Sequence, residues 1–308
     1  MGMSTNGSLC RAVIVTALPI EFSAVCAHLV DRREDTHPSG TVYEIGHFRP
    51  TLGREWEVTV VEIGAGNVGA AAEVERAIAY RHPNVILFVG VAGGLKDVDI
   101  GDVVAGAKVY GYESGKEKNG FKTRPVVHDS DYRLTQRAKA EARTGSWRRR
   151  IVGGMPEPPP RALIGPIAAG EKVVADTQSQ TSQLIALNYG DALAVEMEGY
   201  GFLHGAYLNP RTSALVVRGI SDLLDGKQNA DRTGSQERAS HHASAFCFEV
   251  LAKLDTCPGG SDNPDAGLGA CRDEKDDRCC VSRVSRIGGA ATGHLSTCGS
   301  RRAAGSRW

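Results

Sequence analysis

The sequence has no excess charge of either sign, few aromatic residues and no long apolar run. Lys and Arg total 36, Asp and Glu total 36, and the formal net charge is zero. Sequence-independent nucleic-acid binding needs a basic excess that neutralises phosphates, so this balance argues against a nucleic-acid partner. The longest apolar run, residues 85–95, is interrupted by glycines and is far shorter than the roughly 20 residues that span a bilayer. We therefore expect no membrane partner either.

Two further features are missing. The first apolar segment is soon interrupted by Glu21 and has no small-residue cleavage site, which argues against a secretory signal. Five of the eight cysteines follow residue 256, and their spacing contains no C-x-x-C pair, so no zinc framework is predicted. These absences predict a cytoplasmic protein with no metal site.

The composition divides the chain into three parts. After about residue 255 the chain is dominated by Gly, Ser, Arg and Asp, and its apolar residues are isolated. Such a segment cannot bury enough apolar surface to offset its ordering entropy. We therefore predict a disordered tail over 256–308, a disordered N-terminus over 1–10 and one folded domain over 11–255. Within the domain, residues 113–160 are polar and are predicted to be an insertion with one helix.

Strand and helix patterns alternate along the domain. Continuous apolar runs are typical of strands buried on both faces, and the intervening segments have helical periodicity. This alternation predicts an α/β fold with helices on both faces of a mixed sheet. The segments predicted to form strands are "RAVIVTAL", "TVYEIGHF", "WEVTVVEI", "NVILFVGVAGGL", "GDVVAGAKVYGY", "GPIAAGEKVVAD", "ALAVEMEG" and "ALVVRGISD".

Gly64, Gly66 and Gly69 form a G-x-G-x-x-G motif between a predicted strand and a predicted helix. This is the local context of a dinucleotide-binding turn, in which backbone amides approach a pyrophosphate. The following strand, however, ends in glycines instead of the acid that binds the ribose hydroxyl. The motif also does not follow the first strand. A nicotinamide or flavin cofactor is therefore not predicted, and the turn is interpreted as tight packing or as the lining of another pocket.

Acidic residues stand near the ends of three predicted strands. Glu21 follows the first strand by one helical turn. Glu196 and Glu198 end "ALAVEMEG", and Asp222 ends "ALVVRGISD" with Arg218 four residues upstream. Ligands of open α/β sheets bind beyond the carboxyl ends of the strands. We therefore expect these acids to meet in one crevice, where they could transfer protons or bind a sugar.

At this point the sequence resembles a known family. The motifs occur in the order found in the nucleoside phosphorylase/nucleosidase superfamily, and the resemblance is strongest to methylthioadenosine/S-adenosylhomocysteine nucleosidases. It extends from about residue 11 to residue 254. It implies a three-layer α/β/α sandwich around a mixed central sheet, assembled as a homodimer or a higher homo-oligomer. The motifs that carry it are "TALPIE", "EIGAGNVGAAA", "VGVAGGL", "GDVV", "AVEMEG" and "VVRGISD".

The resemblance implies a catalytic pair. Asp222 is similar to the general acid that protonates, or donates a hydrogen bond to, the five-membered-ring nitrogen of a purine, so that the base leaves neutral. Glu21 is similar to the carboxylate that positions and deprotonates the attacking water. The transition state has oxocarbenium character, so nearby carboxylates stabilise the developing positive charge. The family's chemistry uses no metal or organic cofactor.

The resemblance also implies a set of substrate-binding residues. Glu198 is similar to the residue that accepts hydrogen bonds from the ribose diol, and Met197 would pack against the sugar. Backbone groups near Val173 and Val174 would bind the purine edge. Arg218 would orient the acidic loop. The other expected binding residues are Glu196, Ser221, Ala92 and Gly93, and Arg218 is counted with them.

Several alternatives remain open. A carboxylate such as Glu21 is favourable in the first turn of any helix, and Ser221 or Asp222 could simply cap the segment that follows the strand. The enzyme could be a phosphate-dependent phosphorylase, although Phe88 and Val91 replace residues that bind phosphate in related phosphorylases and Glu21 would repel the anion. The protein could also be a purine-binding sensor with little turnover, although a sensor does not need a water-activating carboxylate.

Two departures from the nucleosidase pattern concern the substrate. Val91 stands where the family has a serine, and Val173 stands where an aromatic residue stacks on the base. Basic residues of the 113–160 segment lead to the hypothesis that the substrate carries a charged 5′ group and is an adenine nucleotide instead of a methylthio-nucleoside. These residues are Lys116, Lys118, Lys122 and Arg124.

Overall fold

A computed structural model describes residues 9–118, 120–174, 176–224 and 234–254. The internal contacts of the chain divide it into two units, Met1–Asp262 and Asn263–Trp308. The second unit lies entirely outside the described residues, and so does the tail predicted over 256–308. Cys10, which was predicted to belong to a disordered N-terminus, is instead the buried first residue of a strand and pairs with Trp56.

Strands and helices alternate through most of the described residues, as the patterns predict. The strands are β1 (Cys10–Thr16), β2 (Val30–Thr36), β3 (Val42–Phe48), β4 (Trp56–Glu62), β5 (Val85–Gly94), β6 (Val103–Gly111), β7 (Gly115–Glu117), β8 (Phe121–Thr123), β9 (Val126–Asp129), β10 (Ala162–Ala169), β11 (Ala194–Glu196) and β12 (Ser213–Leu223). The α-helices are α1 (Pro19–Cys26), α2 (Asn67–Arg81), α3 (Tyr132–Thr144), α4 (Gln180–Asn188), α5 (Gly199–Tyr207) and α6 (Ser235–Ala252), and a 3-10 helix spans Ser146–Arg150.

Ten strands form one mixed sheet with the order β11-β10-β6-β12-β5-β1-β4-β3-β2, and β9 pairs with β6. The strands β1, β5 and β12 are mutually parallel neighbours, whereas β12 and β6 are antiparallel. β11 pairs both with β10 and with the last residues of β5. The strands β5, β12, β6, β10 and β11 therefore close into a ring at one end of the sheet.

The two faces of the sheet are covered by different helices. On β1, Ala12 and Ile14 contribute to one apolar cluster, and Val13 and Val15 contribute to the other, as expected when successive side chains point to opposite faces. The first cluster contains residues of α1, α3 and α6, and the second contains residues of α2 and α5. This arrangement is the predicted three-layer α/β/α sandwich, and the fold class is confirmed.

The sequence patterns miss β2 and also the three strands β7, β8 and β9 within residues 113–160. β2 has the sequence VDRREDT and is largely exposed at the sheet edge, so it has no apolar pattern to reveal it; its charges suit an edge strand, because they discourage pairing with other chains. The segment predicted as a polar insertion, residues 113–160, contributes β9 to the main sheet and the fully buried Trp147 to the core. Among the described helices, none is both long and apolar enough to cross a membrane.

The topology brings distant parts of the chain to one edge. Because β1, β5 and β12 are parallel, their carboxyl ends lie together. β11 reaches the same edge through its pairing with Gly93 and Gly94 at the end of β5. The residues that follow these four strands therefore share one crevice.

Candidate active site

A cavity of about 200 Å³ lies at this shared edge. All the site residues predicted from the sequence line it, except Arg218. The remaining lining residues are Ala17, Leu18, Ala65, Val91, Lys172, Val195 and Gln236. The fold thus brings together Glu21, Glu198 and Asp222, which are widely separated along the chain.

Glu21 is held by three backbone amides. It lies in the first turn of α1, which Pro19 begins, and it is 2% exposed. One carboxylate oxygen accepts hydrogen bonds from the amides of Ala17 (2.8 Å) and Leu18 (3.1 Å), and the other accepts one from Val91 on β5 (2.8 Å). Glu21 therefore caps its helix and also spans two strand ends. Its side chain is fixed at the cavity wall.

Arg218 lies behind the cavity and contacts two carboxylates. Its side chain has no exposed surface, and its guanidinium bonds Glu196 and, at 3.1 Å, Glu198. The guanidinium carbon also lies 4.1 Å from the ring centroid of Phe88. A direct contact between Arg218 and substrate is therefore not supported, because Arg218 is fully buried and is not among the residues that line the cavity. Its contacts with Glu196 and Glu198 fit the other role expected from the sequence, orientation of the acidic residues.

Glu196 lines the cavity, but its oxygens are engaged by the protein. They accept hydrogen bonds from the amides of Glu198 (3.0 Å) and Gly199 (2.8 and 3.0 Å) as well as from Arg218. These bonds satisfy donors at the start of α5 that have no partner within the helix. The contacts suit a residue that anchors the following carboxylate.

The Gly-rich turn that resembles a dinucleotide motif has a different role in this fold. Gly66 has a φ of 117°, a conformation that favours glycine. Its amide donates a 3.1 Å hydrogen bond to Glu198, and the next amide, that of Asn67, donates a 3.2 Å bond to Glu171. The positive end of α2 therefore holds protein carboxylates where a dinucleotide-binding turn would hold a phosphate.

Asp222 and Ser221 lie at a break in strand pairing. The register of β12 against β5 shifts between Ile220 and Asp222, which is typical of a bulge that redirects side chains. Both residues are buried, and the Ser221 hydroxyl lies 2.7 Å from an Asp222 oxygen, to which it can donate. A Cβ at Gly93 would lie 3.4 Å from Asp222, so the absence of a side chain there leaves room beside this acid.

The wall that was expected to bind the purine comprises Val173 and Val174. Val173 is 59% exposed and Val174 is 6% exposed, so Val173 is accessible to solvent whereas Val174 is buried. The basic residues of the 113–160 segment are not among the residues that line the cavity. The cation of the lining is Lys172, whose amine is paired with Glu113 at 3.5 Å.

Burial makes two of the cavity carboxylates weaker acids than usual. Desolvation raises the pKa of Glu21, although Arg218 and the three amides oppose this effect. Desolvation also raises the pKa of Glu198 from 4.5 to about 7, with Arg218 opposing the shift and Glu196 reinforcing it. Shifted carboxylates in a cleft are typical of sites that transfer protons, because burial brings their titration near neutral pH.

Some functional positions were not predicted from the sequence. A Cβ at Gly90 would lie 2.3 Å from Arg218 and 2.5 Å from Glu21, so this glycine makes room for both charges. Val91, noted only for the polar or phosphate-binding residues that it replaces, donates its amide to Glu21, which any residue except proline could do. Gln236 reaches the cavity from the first turn of α6. These positions carry no local sequence signal.

Comparisons with known proteins agree with this geometry. A family model described as the phosphorylase superfamily matches residues 11–254. The chain belongs to the phosphorylase superfamily. The family resemblance carried by the motifs is therefore confirmed.

Among curated members of the superfamily, two kinds of relative differ in coverage. The 5′-methylthioadenosine/S-adenosylhomocysteine nucleosidase of Desulfotalea psychrophila is 26% identical over 240 residues, which cover 73% of this chain and 92% of the relative. The ATP nucleosidase Cap17 of Escherichia coli is 30% identical over 239 residues, which cover 70% of this chain but 46% of the relative. The chain therefore spans about half the length of the second relative.

Two solved structures share the fold. The 5′-methylthioadenosine/S-adenosylhomocysteine nucleosidase of Neisseria meningitidis, in complex with methylthio-immucillin-A, superimposes with a TM-score of 0.65 at 20% identity and covers 80% of this chain and 100% of its own. Futalosine hydrolase of Helicobacter pylori gives a TM-score of 0.65 at 20% identity, covering 80% and 99%.

Proposed function

We propose that this member of the phosphorylase superfamily is a purine nucleosidase. It hydrolyses the N-glycosidic bond of an adenine nucleoside or nucleotide and releases free adenine. The observation that carries the proposal is the convergence of Glu21, Glu198 and Asp222 on one cavity. The similarity to nucleosidases over most of the chain supports the same chemistry.

The reaction needs an acid for the base and a base for the water. Asp222 donates a proton or a hydrogen bond to N7 of the purine as the bond between C1′ and N9 breaks, so the electron pair leaves with a neutral base. Glu21 accepts a proton from water, whose oxygen forms the new bond to C1′. Glu198 accepts hydrogen bonds from the ribose hydroxyls and, with Glu21, stabilises the positive charge that develops on the sugar. General acid–base assistance contributes about 100- to 10,000-fold per group.

The remaining predicted residues bind and position the substrate. Met197 packs against the sugar, while Val173 and Val174 bind the base through their backbone. Ala92 and Gly93 line the cavity beside Asp222. Their small size leaves space for a planar ring. Ser221 orients Asp222 through the contact of their side-chain oxygens at 2.7 Å.

Water is favoured over phosphate as the nucleophile. Four carboxylates line the cavity, from Glu21, Glu196, Glu198 and Asp222, against the single ammonium of Lys172. A phosphate dianion there would need donors that the acidic wall does not offer, and its desolvation would be costly. Hydrolysis therefore fits the electrostatics better than phosphorolysis.

A substrate panel tests the proposal and identifies the 5′ group. Methylthioadenosine, S-adenosylhomocysteine, adenosine, inosine, AMP and ATP would each be incubated with the protein, with and without phosphate. The proposal expects free adenine and a sugar with a free 1-hydroxyl, at a rate independent of phosphate. Formation of a sugar 1-phosphate would overturn it in favour of a phosphorylase. Binding of adenine with no release of base from any substrate would instead indicate a sensor.

We also propose that the protein is a cytoplasmic homodimer or higher homo-oligomer. Apolar side chains exposed on α2 and at the end of α5 support association: Val68 is 80%, Tyr207 72% and Leu208 57% exposed. Light scattering at micromolar concentration would report the mass. A mass equal to one chain would contradict the oligomer.

A further inference from the structure

Asn67, the first residue of α2, connects three segments of the chain through one buried side chain and its backbone. It is 8% exposed. Its side-chain oxygen accepts a 2.8 Å hydrogen bond from the amide of Gly201, and its side-chain nitrogen donates a 3.2 Å bond to the carbonyl of Gly170. Its own amide donates a 3.2 Å bond to Glu171.

The first of these segments carries the sugar-binding carboxylate. Gly201 lies in the first turn of α5, which Glu198 precedes. The amide of Gly201 would have no partner within the helix, so Asn67 acts as a cap supplied from another helix. A Cβ on Gly201 would lie 1.9 Å from the carbonyl oxygen of Asn67, so the two backbones touch. The preceding residue, Gly66, bonds Glu198 directly.

The other segment leads to the base-binding wall. Gly170 and Glu171 immediately precede the cavity residues Lys172, Val173 and Val174. The amide of Gly170 is bonded to the carbonyl of Glu196 at 3.2 Å. The carbonyl of Gly170 and the carboxylate of Glu171 are both bonded by Asn67.

We propose that Asn67 is a positioning residue that sets the distance between Glu198 and the base-binding segment 170–174. This inference rests on the proposed nucleosidase function, because that distance matters only when one substrate spans both. An amide side chain suits the task because it offers a donor and an acceptor together, whereas Asp lacks the donor and Ala lacks both. A displacement of about 1 Å between groups that hold one substrate can lower the rate roughly 100-fold.

The test compares Asn67→Asp and Asn67→Ala with Asn209→Ala. Asn209 is a matched control: its side-chain nitrogen bonds Glu75 of α2 and the carbonyl of Gly205 of α5, so it joins the same two helices, and it is not among the cavity residues. The Asp variant keeps the acceptor for Gly201 and guards against simple unfolding of the Ala variant. Thermal midpoints are measured for all three.

The expected result distinguishes a change in the distance between Glu198 and segment 170–174 from a local loss of structure. With the nucleoside that the wild-type protein cleaves fastest, kcat/KM should fall about 10- to 100-fold in both Asn67 variants and less than about threefold in Asn209→Ala. Free adenine contacts the base-binding segment but not Glu198, so its Kd should stay within about threefold of the wild-type value. The acid limb of the pH profile should move to higher pH in Asn67→Ala, because a looser Gly66 turn bonds ionised Glu198 less firmly.

Each other result has a defined meaning. If the Asn67 variants match Asn209→Ala in kcat/KM, or lose adenine binding as much as they lose turnover, the positioning role is wrong. If the wild-type protein releases base from no nucleoside or nucleotide, the proposed function fails and this inference fails with it. If the wild type is active and the variants are unaffected, only this inference fails.

Discussion

The fully buried side chain of Arg218 donates a 3.1 Å hydrogen bond to Glu198. The contact offsets part of the free-energy cost of burying both charges. It also fixes the orientation of the Glu198 carboxylate, which lines the cavity. The same guanidinium also bonds Glu196. One buried cation thus holds two acids at the end of β11.

Removing this cation should destabilise the fold. Arg218→Met leaves two buried carboxylates without their partner, which typically costs about 3–5 kcal/mol. Urea denaturation would measure the loss. Arg133→Met is a suitable control, because Arg133 is exposed on α3 and such substitutions usually change stability by about 0.5 kcal/mol or less. A loss below about 1 kcal/mol in Arg218→Met would contradict the ion cluster.

Replacing the proposed acid should reduce turnover more than binding. Asp222→Asn retains the size of the side chain but cannot donate a proton as the base leaves, so kcat should fall about 100- to 10,000-fold while the Kd of adenine changes little. Steady-state kinetics and calorimetry would measure the two. Asp191→Asn serves as the control, since Asp191 contacts Tyr110 and is not among the cavity residues. An unimpaired Asp222→Asn enzyme would refute the assigned role.

Activity should fall as the pH drops below neutrality. Ionised Glu198 stabilises the positive charge on the sugar and offers two oxygens as acceptors to the ribose hydroxyls, whereas its protonated form has no charge and a weaker acceptor set. The pKa of Glu198 is raised to about 7, mainly by burial. We expect kcat/KM to decrease about tenfold per pH unit below that value. Glu198→Gln should lower kcat/KM at pH 8 and remove the contribution of Glu198 to this limb, leaving the contribution of Glu21, whose pKa is also raised by burial. A wild-type profile that is flat between pH 5 and 8 would be inconsistent with the role of Glu198.

The same pKa predicts an opposite trend in stability. The pKa of Glu198 in the folded protein, about 7, lies above its ordinary value of 4.5. Its contribution to stability is therefore complete below pH 4.5 and is lost as the pH rises through 7. Relative to Glu198→Gln, the wild-type protein should lose free energy of unfolding over this interval, as followed by urea denaturation at several pH values. A constant difference between the two proteins would refute the shift.

A methyl group at Gly90 should disrupt the charges on both sides of it. In Gly90→Ala the new Cβ would meet Arg218 and Glu21 at 2.3 and 2.5 Å, so one of them must move. A displacement of about 1 Å lowers activity roughly 100-fold. Gly69→Ala is the control, because its Cβ would meet nothing within 4 Å on α2, and alanine favours a helix by up to about 1 kcal/mol. Equal activities in the two variants would contradict the close contact.

Much of the fold follows from local sequence patterns. The continuous apolar runs predicted β1, β5 and β12 because a strand covered on both faces must be apolar at successive positions. The charged edge strand β2 has no such pattern, since an edge strand can remain in contact with water. Likewise, the polar composition of residues 113–160 concealed β9 and the buried Trp147.

Some residues of the candidate site could likewise be predicted from the sequence, whereas others could not. Glu198 and Asp222 could be predicted because acids that end buried strands meet at one edge of the sheet. The position of Arg218 behind the cavity, the space at Gly90 and the three bonds of Asn67 could not be predicted. Each depends on contacts between segments that are remote in the chain. Strand and helix patterns arise from neighbouring residues, whereas those distances exist only once the sheet has closed and the helices have packed against it.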